Sequence, residues 1–373
     1  INHYIFYLCY TTLYTYIKGA HIMVLHQNII TAYVGTYTNS KSKGIYRINF
    51  NKNSKEIERV DLAYEVENPT YLALDTERHI LYSTCKINDK AGVISFKYWQ
   101  EQDKLNLINY NLSEEKQPCH ISTNNDNQVV ISSNYHENKM IVYNTLEGII
   151  LNYPSIGTHT QSDSDDKLIE NPHFHCSMFT FDKKYIISTQ LGIDKLAVYE
   201  LLNGTLSEKS ELSYHFPKGT GPRHITYVNS KYIYVLSELT SEIFVLRYKP
   251  SNNNIFESIQ VISTMPLNYD GKKSGAAIRI HPNKKFLYTS DRGNNSISLF
   301  SINSTDGKLK LLETVSCQGD SPRDFQIDPT GSYLFVANEK SNNISVFSIG
   351  PSTGSLTFMN SHEIYSPTCI EFI

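Results

Sequence analysis

Six residues between positions 175 and 323 carry side chains suited to hydrolysis: His175, Arg223, Glu238, Asp291, Arg292 and Arg323. A carboxylate or imidazole takes a proton from water, and a guanidinium neutralises a developing oxyanion or grips a phosphate or carboxylate through paired hydrogen bonds. Acid, base and anion binder together would suit an anionic ester or lactone. Spread from position 175 to position 323, these residues make a site only if a repeating architecture gathers them.

The sequence contains such a repeat. Short β-branched and aromatic runs ending in a polar residue occupy positions 129–134, 185–190, 232–238, 286–291 and 333–338. Another apolar run starts sixteen residues before each end, at Pro118, Phe174, Pro222, Gly275 and Pro322, and Pro69 with Cys85 obeys the same offset. Turn-forming stretches such as Asn124-Asn-Asp-Asn127, His281-Pro-Asn-Lys284 and Asp328-Pro-Thr-Gly331 separate the two runs, so each unit opens with an antiparallel hairpin. A third strand (140–143 or 243–246, for example) and a weaker fourth follow. Four strands per repeat predict a propeller blade.

Second strands ending at Tyr37, Cys85, Asn134, Gln190, Glu238, Asp291 and Asn338 give seven blades. The first repeat begins at its second strand, 31–37, and the segment 367–372 has the form of the missing first strand. Pairing the two closes the ring and removes exposed sheet edges. No helical periodicity lies between the strands, which excludes an α/β fold. The predicted fold is all-β: a seven-bladed β-propeller of four-stranded antiparallel blades over residues 29–373, closed by the C-terminal strand.

First strands line the channel of such a ring, and each hairpin sets the start of strand one beside the end of strand two. The column just after the strand-one starts reads Thr70, Cys119, His175, Arg223, Ala276, Arg323 and Thr368, and the next reads Tyr71, His120, Cys176, His224, Ala277, Asp324 and Cys369. With the strand-two ends, these residues are expected to rim one mouth. The expected catalytic residues are His175, Arg223 and Glu238; the expected substrate contacts are His224, Arg279, Asp291, Arg292, Arg323 and Asn338. His173 is an alternative to His175, and the arginines have a structural alternative as clamps on backbone carbonyls between blades. Cys119, His120, His175 and Cys176 lack metal-ligand spacing, so no metal is expected. No G-x-G-x-x-G, P-loop or EF-hand pattern appears, and no cofactor is expected.

Composition narrows the partners. Lys+Arg 34 against Asp+Glu 37 gives a net charge of −3, and no basic run is present to hold nucleic acid or anionic lipid. Six scattered cysteines without a C-x-x-C pair fit reduced thiols in the cytoplasm. The opening segment, with Thr and Tyr throughout and a lone Lys18, fits neither a secretory signal nor a membrane span. Residues 1–28 are read as an extension outside the fold, with translation starting at Met23 and Ile1 to Ile22 upstream of it. Thr160-Gln-Ser-Asp-Ser-Asp-Asp-Lys167 reads as a solvated insertion, with a lid as the alternative. A monomer or weak homodimer acting on a small anionic lactone is expected.

Six motifs carry a resemblance: Tyr33-Val-Gly-Thr-Tyr-Thr38, Pro172-His-Phe-His175, Gly221-Pro-Arg-His224, Ser290-Asp-Arg-Gly293, Ser321-Pro-Arg-Asp324 and Asp328-Pro-Thr-Gly331. Together, over about residues 30 to 373, they resemble the propeller lactonase family. The resemblance implies a metal-independent site in the channel mouth whose His, Arg and Glu match His175, Arg223 and Glu238, with a further arginine at Arg279 or Arg292. It implies hydrolysis of a sugar-acid lactone, with 6-phosphogluconolactone the foremost case. Lactone formation from a carboxylated muconate is the enzymatic alternative, and a non-catalytic binding propeller is the alternative from another class.

Overall fold

A computed structural model describes residues 28–124, 126, 128–159 and 171–373. The expected N-terminal extension and the insertion at 160–167 fall almost wholly outside these residues.

Second strands build the core because they are covered on both faces. Val129–Asn134, Tyr232–Ser237 and Phe286–Asp291 are buried at every position, since each lies mid-sheet between two neighbouring blades. Their apolar first halves, and the small or hydrogen-bonded polar residues that follow, are what two-sided burial demands. Outer strands such as Phe256–Ser263 alternate instead between half-buried and exposed positions after a buried first residue. The side chains of adjacent blades merge into apolar layers, such as the one joining Phe50, Phe335, Ile344 and Ile370.

The described strands fall into seven antiparallel sheets. Five are simple four-stranded blades. In blade three the outer position is shared by Ile149–Ile150 and Ser155–Thr158, and in blade four by Thr205–Glu208 and Tyr214–His215. Blade one is built as the sequence predicts: Pro367–Phe372 pairs with Ile29–Thr36, setting Phe372 opposite Ala32 and Pro367 opposite Thr36. Blades are also stitched by tyrosine hydroxyls. Tyr234 donates to the Gly307 carbonyl at 2.9 Å and Tyr288 to that of Gly354 at 2.6 Å. Gly307 sits at φ +74° with Tyr232 where a Cβ would be, so backbone conformation and contact both demand glycine there.

Two irregularities recur where strand one enters the channel. The residue before it adopts left-handed φ in four blades, at His173, Gly221, Ser321 and Ser366. Strand one then slips register against strand two between Phe174 and Cys176, Pro222 and His224, Gly275 and Ile278, and Pro322 and Asp324. An extra residue in one strand breaks the alternation of faces and re-aims side chains. His175, Arg223, Ala276 and Arg323 occupy these slips. Two consecutive residues of strand one therefore serve the channel, as the two predicted columns require.

Candidate active site

Arg223 is the hub of the mouth. Its side chain is buried; Nε donates to Glu238 Oε2 at 3.0 Å, while Nη1 donates to the Ala276 carbonyl and lies 3.1 Å from His224 Nε2. A guanidinium has no acceptor, so His224 Nε2 accepts and the proton of the neutral ring resides on Nδ1. Nη2 has no hydrogen-bond partner among the described residues. Burial, helped by the nearby Arg292 charge, pushes the Arg223 guanidinium down to about 10, which leaves it charged at neutral pH.

Glu238 is held between two cations. Its Oε1 lies 3.0 Å from Arg292 Nη2, at ion-pair distance but off hydrogen-bond angle, and Arg292 Nε and Nη2 are buried without a hydrogen-bond partner. Burial opposes charge on Glu238, but Arg223 and Arg292 outweigh it and hold the carboxyl below its ordinary range. Arg323 completes the cationic side. Its guanidinium lies over the Tyr37 ring at 5.1 Å and reaches Glu339 Oε2 through one long contact of 3.4 Å.

Three imidazoles fill the space beside and below. The His175 and His224 rings are 5.3 Å apart, and those of His224 and His120 5.6 Å, with His120 lying 4.4 Å from Tyr71. All three are buried with Nδ1 unpartnered. Burial first, then the arginine charges, hold His175 and His224 well below the usual histidine range and His120 at about 3. These rings are neutral at physiological pH and offer hydrogen bonds without charge.

His175, Arg223, Glu238, His224, Arg292 and Arg323 thus meet at one mouth. Three other expected contacts do not join them. Arg279 lies deeper, its Nη2 on both oxygens of Asp324 at 2.9 and 3.0 Å and on the Tyr71 hydroxyl at 3.2 Å. Asp291 is occupied by its own turn: Oδ1 accepts from the Gly293 and Asn294 amides at 2.8 and 2.9 Å, and Oδ2 from Ser241 Oγ and the Ser274 amide. Asn338 ties blade seven together, Nδ2 donating to Ser345 Oγ at 2.8 Å and the Cys317 carbonyl at 3.3 Å.

One register difference explains both outcomes. Phe174, Gly275 and Pro322 pair with Gln190, Asp291 and Asn338, whereas Pro222 pairs with Ser237, one residue nearer in sequence. The rim is therefore formed by the residues after the strand-two ends, which include Tyr37, Tyr135, Glu238, Arg292 and Glu339. Glu238 falls among them because the blade-five hairpin is one residue shorter. Counting from the blade centre outward would have found Tyr135 and Glu339, which the uniform offset missed.

Fold and site together define a closed seven-bladed propeller with an ionised carboxylate, arginines and neutral imidazoles at one channel mouth. The sequence matches the family described as lactonase, 7-bladed beta-propeller, over residues 31–372, and the chain belongs to that family of lactone-hydrolysing enzymes. It is 37% identical over 298 residues to the 6-phosphogluconolactonase of Bacillus subtilis, covering 79% of this chain and 84% of that one. Among solved structures, a Lactobacillus plantarum protein superposes with a TM-score of 0.84 at 28% identity, covering 92% of this chain and 99% of the other. A Bacteroides fragilis protein provisionally described as a 6-phosphogluconolactonase gives a TM-score of 0.80 at 27% identity, covering 93% of this chain and 98% of the other.

Proposed function

We propose that the protein opens the lactone of a phosphorylated sugar acid, converting 6-phosphogluconolactone and water to 6-phosphogluconate. The observation that carries this reading is unfilled donor capacity on Arg292 and Arg323 beside an ionised Glu238. Guanidiniums with free N–H groups next to a base suit a substrate with an anionic tail. The similarity to the Bacillus subtilis enzyme points the same way.

In this mechanism Glu238 takes a proton from a water as its oxygen bonds to the lactone carbonyl carbon. The carbonyl π electrons move to oxygen, and Arg223 Nη2 donates to that oxyanion. Collapse breaks the ring C–O bond, and the leaving alkoxide takes the proton back from Glu238. The sum is one water added across one ester bond, with the carboxyl proton released to solvent at neutral pH. Arg292 and Arg323 hold the phosphate, and His175 presents a neutral imidazole to water or a sugar hydroxyl.

The test is hydrolysis of freshly generated 6-phosphogluconolactone measured above its spontaneous rate, with unphosphorylated gluconolactone alongside. Glu238→Gln should lower kcat by roughly 10²–10⁴-fold, the usual contribution of a positioned base. Arg323→Ala should raise KM for the phosphorylated substrate alone. Wild-type turnover by Glu238→Gln, or equal rates for both lactones, would overturn the assignment.

A further inference from the structure

The wall of the mouth facing away from the arginines is aromatic, and nothing in the mechanism above uses it. Tyr135 holds blade three's place in the rim column that supplies Glu238 and Arg292. Its ring lies flat on His173, with centroids 4.0 Å apart and planes 3° apart, and edge-on to His175 at 6.2 Å. Tyr135 is half-buried, and no described residue hydrogen-bonds its hydroxyl.

His173 is built as a support. It occupies the left-handed corner before strand one of blade four, at φ 53°, a conformation that costs a non-glycine residue energy unless its surroundings impose it. Those surroundings are present. The His173 amide donates to Asn138 Oδ1 at 3.0 Å, its carbonyl accepts from the Leu191 amide at 3.1 Å, and ring Nδ1 donates to the Tyr135 carbonyl at 2.9 Å. Gly192 leaves room for the ring: a Cβ there would stand 2.9 Å from His173 Cδ2 and 2.0 Å from the Asn171 carbonyl oxygen. Backbone, side chain and a neighbouring glycine all fix the face on which Tyr135 rests.

We propose that Tyr135, held flat by His173, is the surface on which the sugar lactone ring packs, with His173 acting as a positioning residue through it. The proposal rests on the lactonase reading above and adds how the ring is oriented. A sugar lactone carries C–H groups on its ring faces and hydroxyls at its edge. The negative face of an aromatic ring attracts such C–H groups and gains dispersion from a flat contact. With the phosphate at Arg292 and Arg323, a ring laid on Tyr135 spans the mouth past Glu238 and His175. The wall reads the ring and the arginines read the tail, so the two contributions separate by substrate.

The experiment compares KM and kcat of Tyr135→Phe, Tyr135→Leu, Tyr135→Ala, His173→Ala and the His173→Ala/Tyr135→Ala double variant on 6-phosphogluconolactone and on gluconolactone. Melting curves confirm that each is folded, and Tyr135→Leu keeps bulk should the alanine variant fail. Tyr135→Ala and Tyr135→Leu should raise KM for both lactones by a common factor of roughly ten, with kcat changing less. Tyr135→Phe should stay within about twofold of wild type, because the aromatic face survives. His173→Ala should give a smaller rise that disappears in the Tyr135→Ala background. Unchanged KM in folded Tyr135→Leu, or a His173→Ala effect that adds in full to Tyr135→Ala, overturns the proposal while the lactonase reading stands. A wild type that accelerates neither lactone removes both.

Discussion

Deleting residues 366–373 should abolish cooperative folding, although it removes only the last strand. Pro367–Phe372 is the innermost strand of blade one. Cys369 and Ile370 are fully buried, and Phe372 packs edge-on to Phe335 with ring centroids 5.1 Å apart. Burying an isoleucine and a phenylalanine is worth about 1.5–3 kcal/mol each. Roughly five ladder hydrogen bonds add about 0.5–1.5 kcal/mol apiece. The loss is on the order of 5–13 kcal/mol, comparable with the whole stability of an ordinary domain at about 5–15 kcal/mol. It also leaves Ile29–Thr36 as an open edge ready to pair with another chain. Thermal unfolding by circular dichroism, with size-exclusion chromatography, compares the truncated and full chains. The Ile373 amide donates to the Thr31 carbonyl at 3.0 Å, so the displaced strand can be returned by a short turn joining residue 373 to residue 30. That circular permutant should recover the transition. A truncated monomer melting within a few degrees of the full chain would refute the closure argument.

Two further outcomes follow from the site. Arg292→Gln removes one of the two cations that hold the Glu238 carboxyl low. The Glu238 pKa must rise, the base is then protonated at higher pH, and the acid limb of kcat/KM moves upward; initial rates corrected for spontaneous opening, taken from below the ordinary carboxylate range up to neutrality, measure it, and a limb that stays in place contradicts Glu238 as the base. Asp291→Ala strands the Gly293 and Asn294 amides and the Ser241 hydroxyl, so urea unfolding should show a loss of about 1–3 kcal/mol while the folded variant keeps most of its activity; a selective loss of activity would return Asp291 to the site.

The fold was legible because two-sided burial writes a strong signal. Strands such as Val129–Asn134 and Tyr333–Asn338 open on apolar runs and end on a polar residue, and their spacing sets the blade count before any contact is known. The channel columns of strand one were legible for the same reason, since hairpin starts are marked by Pro222 and Pro322. What failed was the far side of the hairpin. A uniform offset places Asn134, Asp291 and Asn338 on the rim, yet a one-residue change in register turns a side chain to the opposite face. Those three are taken up by hydrogen bonds within and between blades, Asn134 reaching Glu114 and Asp291 accepting from Ser241, and Tyr135, Arg292 and Glu339 take the rim instead. The shorter blade-five hairpin is the exception that put Glu238 in view. Arg279 was misplaced for another reason: its partner Asp324 is distant in sequence, and no local pattern signals that their ion pair holds the arginine below the mouth.

The charges make a polarised channel from these pieces. At the mouth, Arg223, Arg292 and Arg323 face Glu238 and Glu339, leaving one positive charge in excess. Deeper, Arg279 faces Asp324 and Glu371, and burial raises both carboxyls, Glu371 to about 7. The lower layer therefore repels an anion when Glu371 is ionised, and the upper layer attracts one. Burial, helped by the same arginines, keeps His175 and His224 unprotonated, so the positive charge of the upper layer does not come from imidazolium. On the proposed function, this polarity would draw an anionic lactone in to the depth of Glu238 and stop it there, with the open-chain acid leaving by the same mouth.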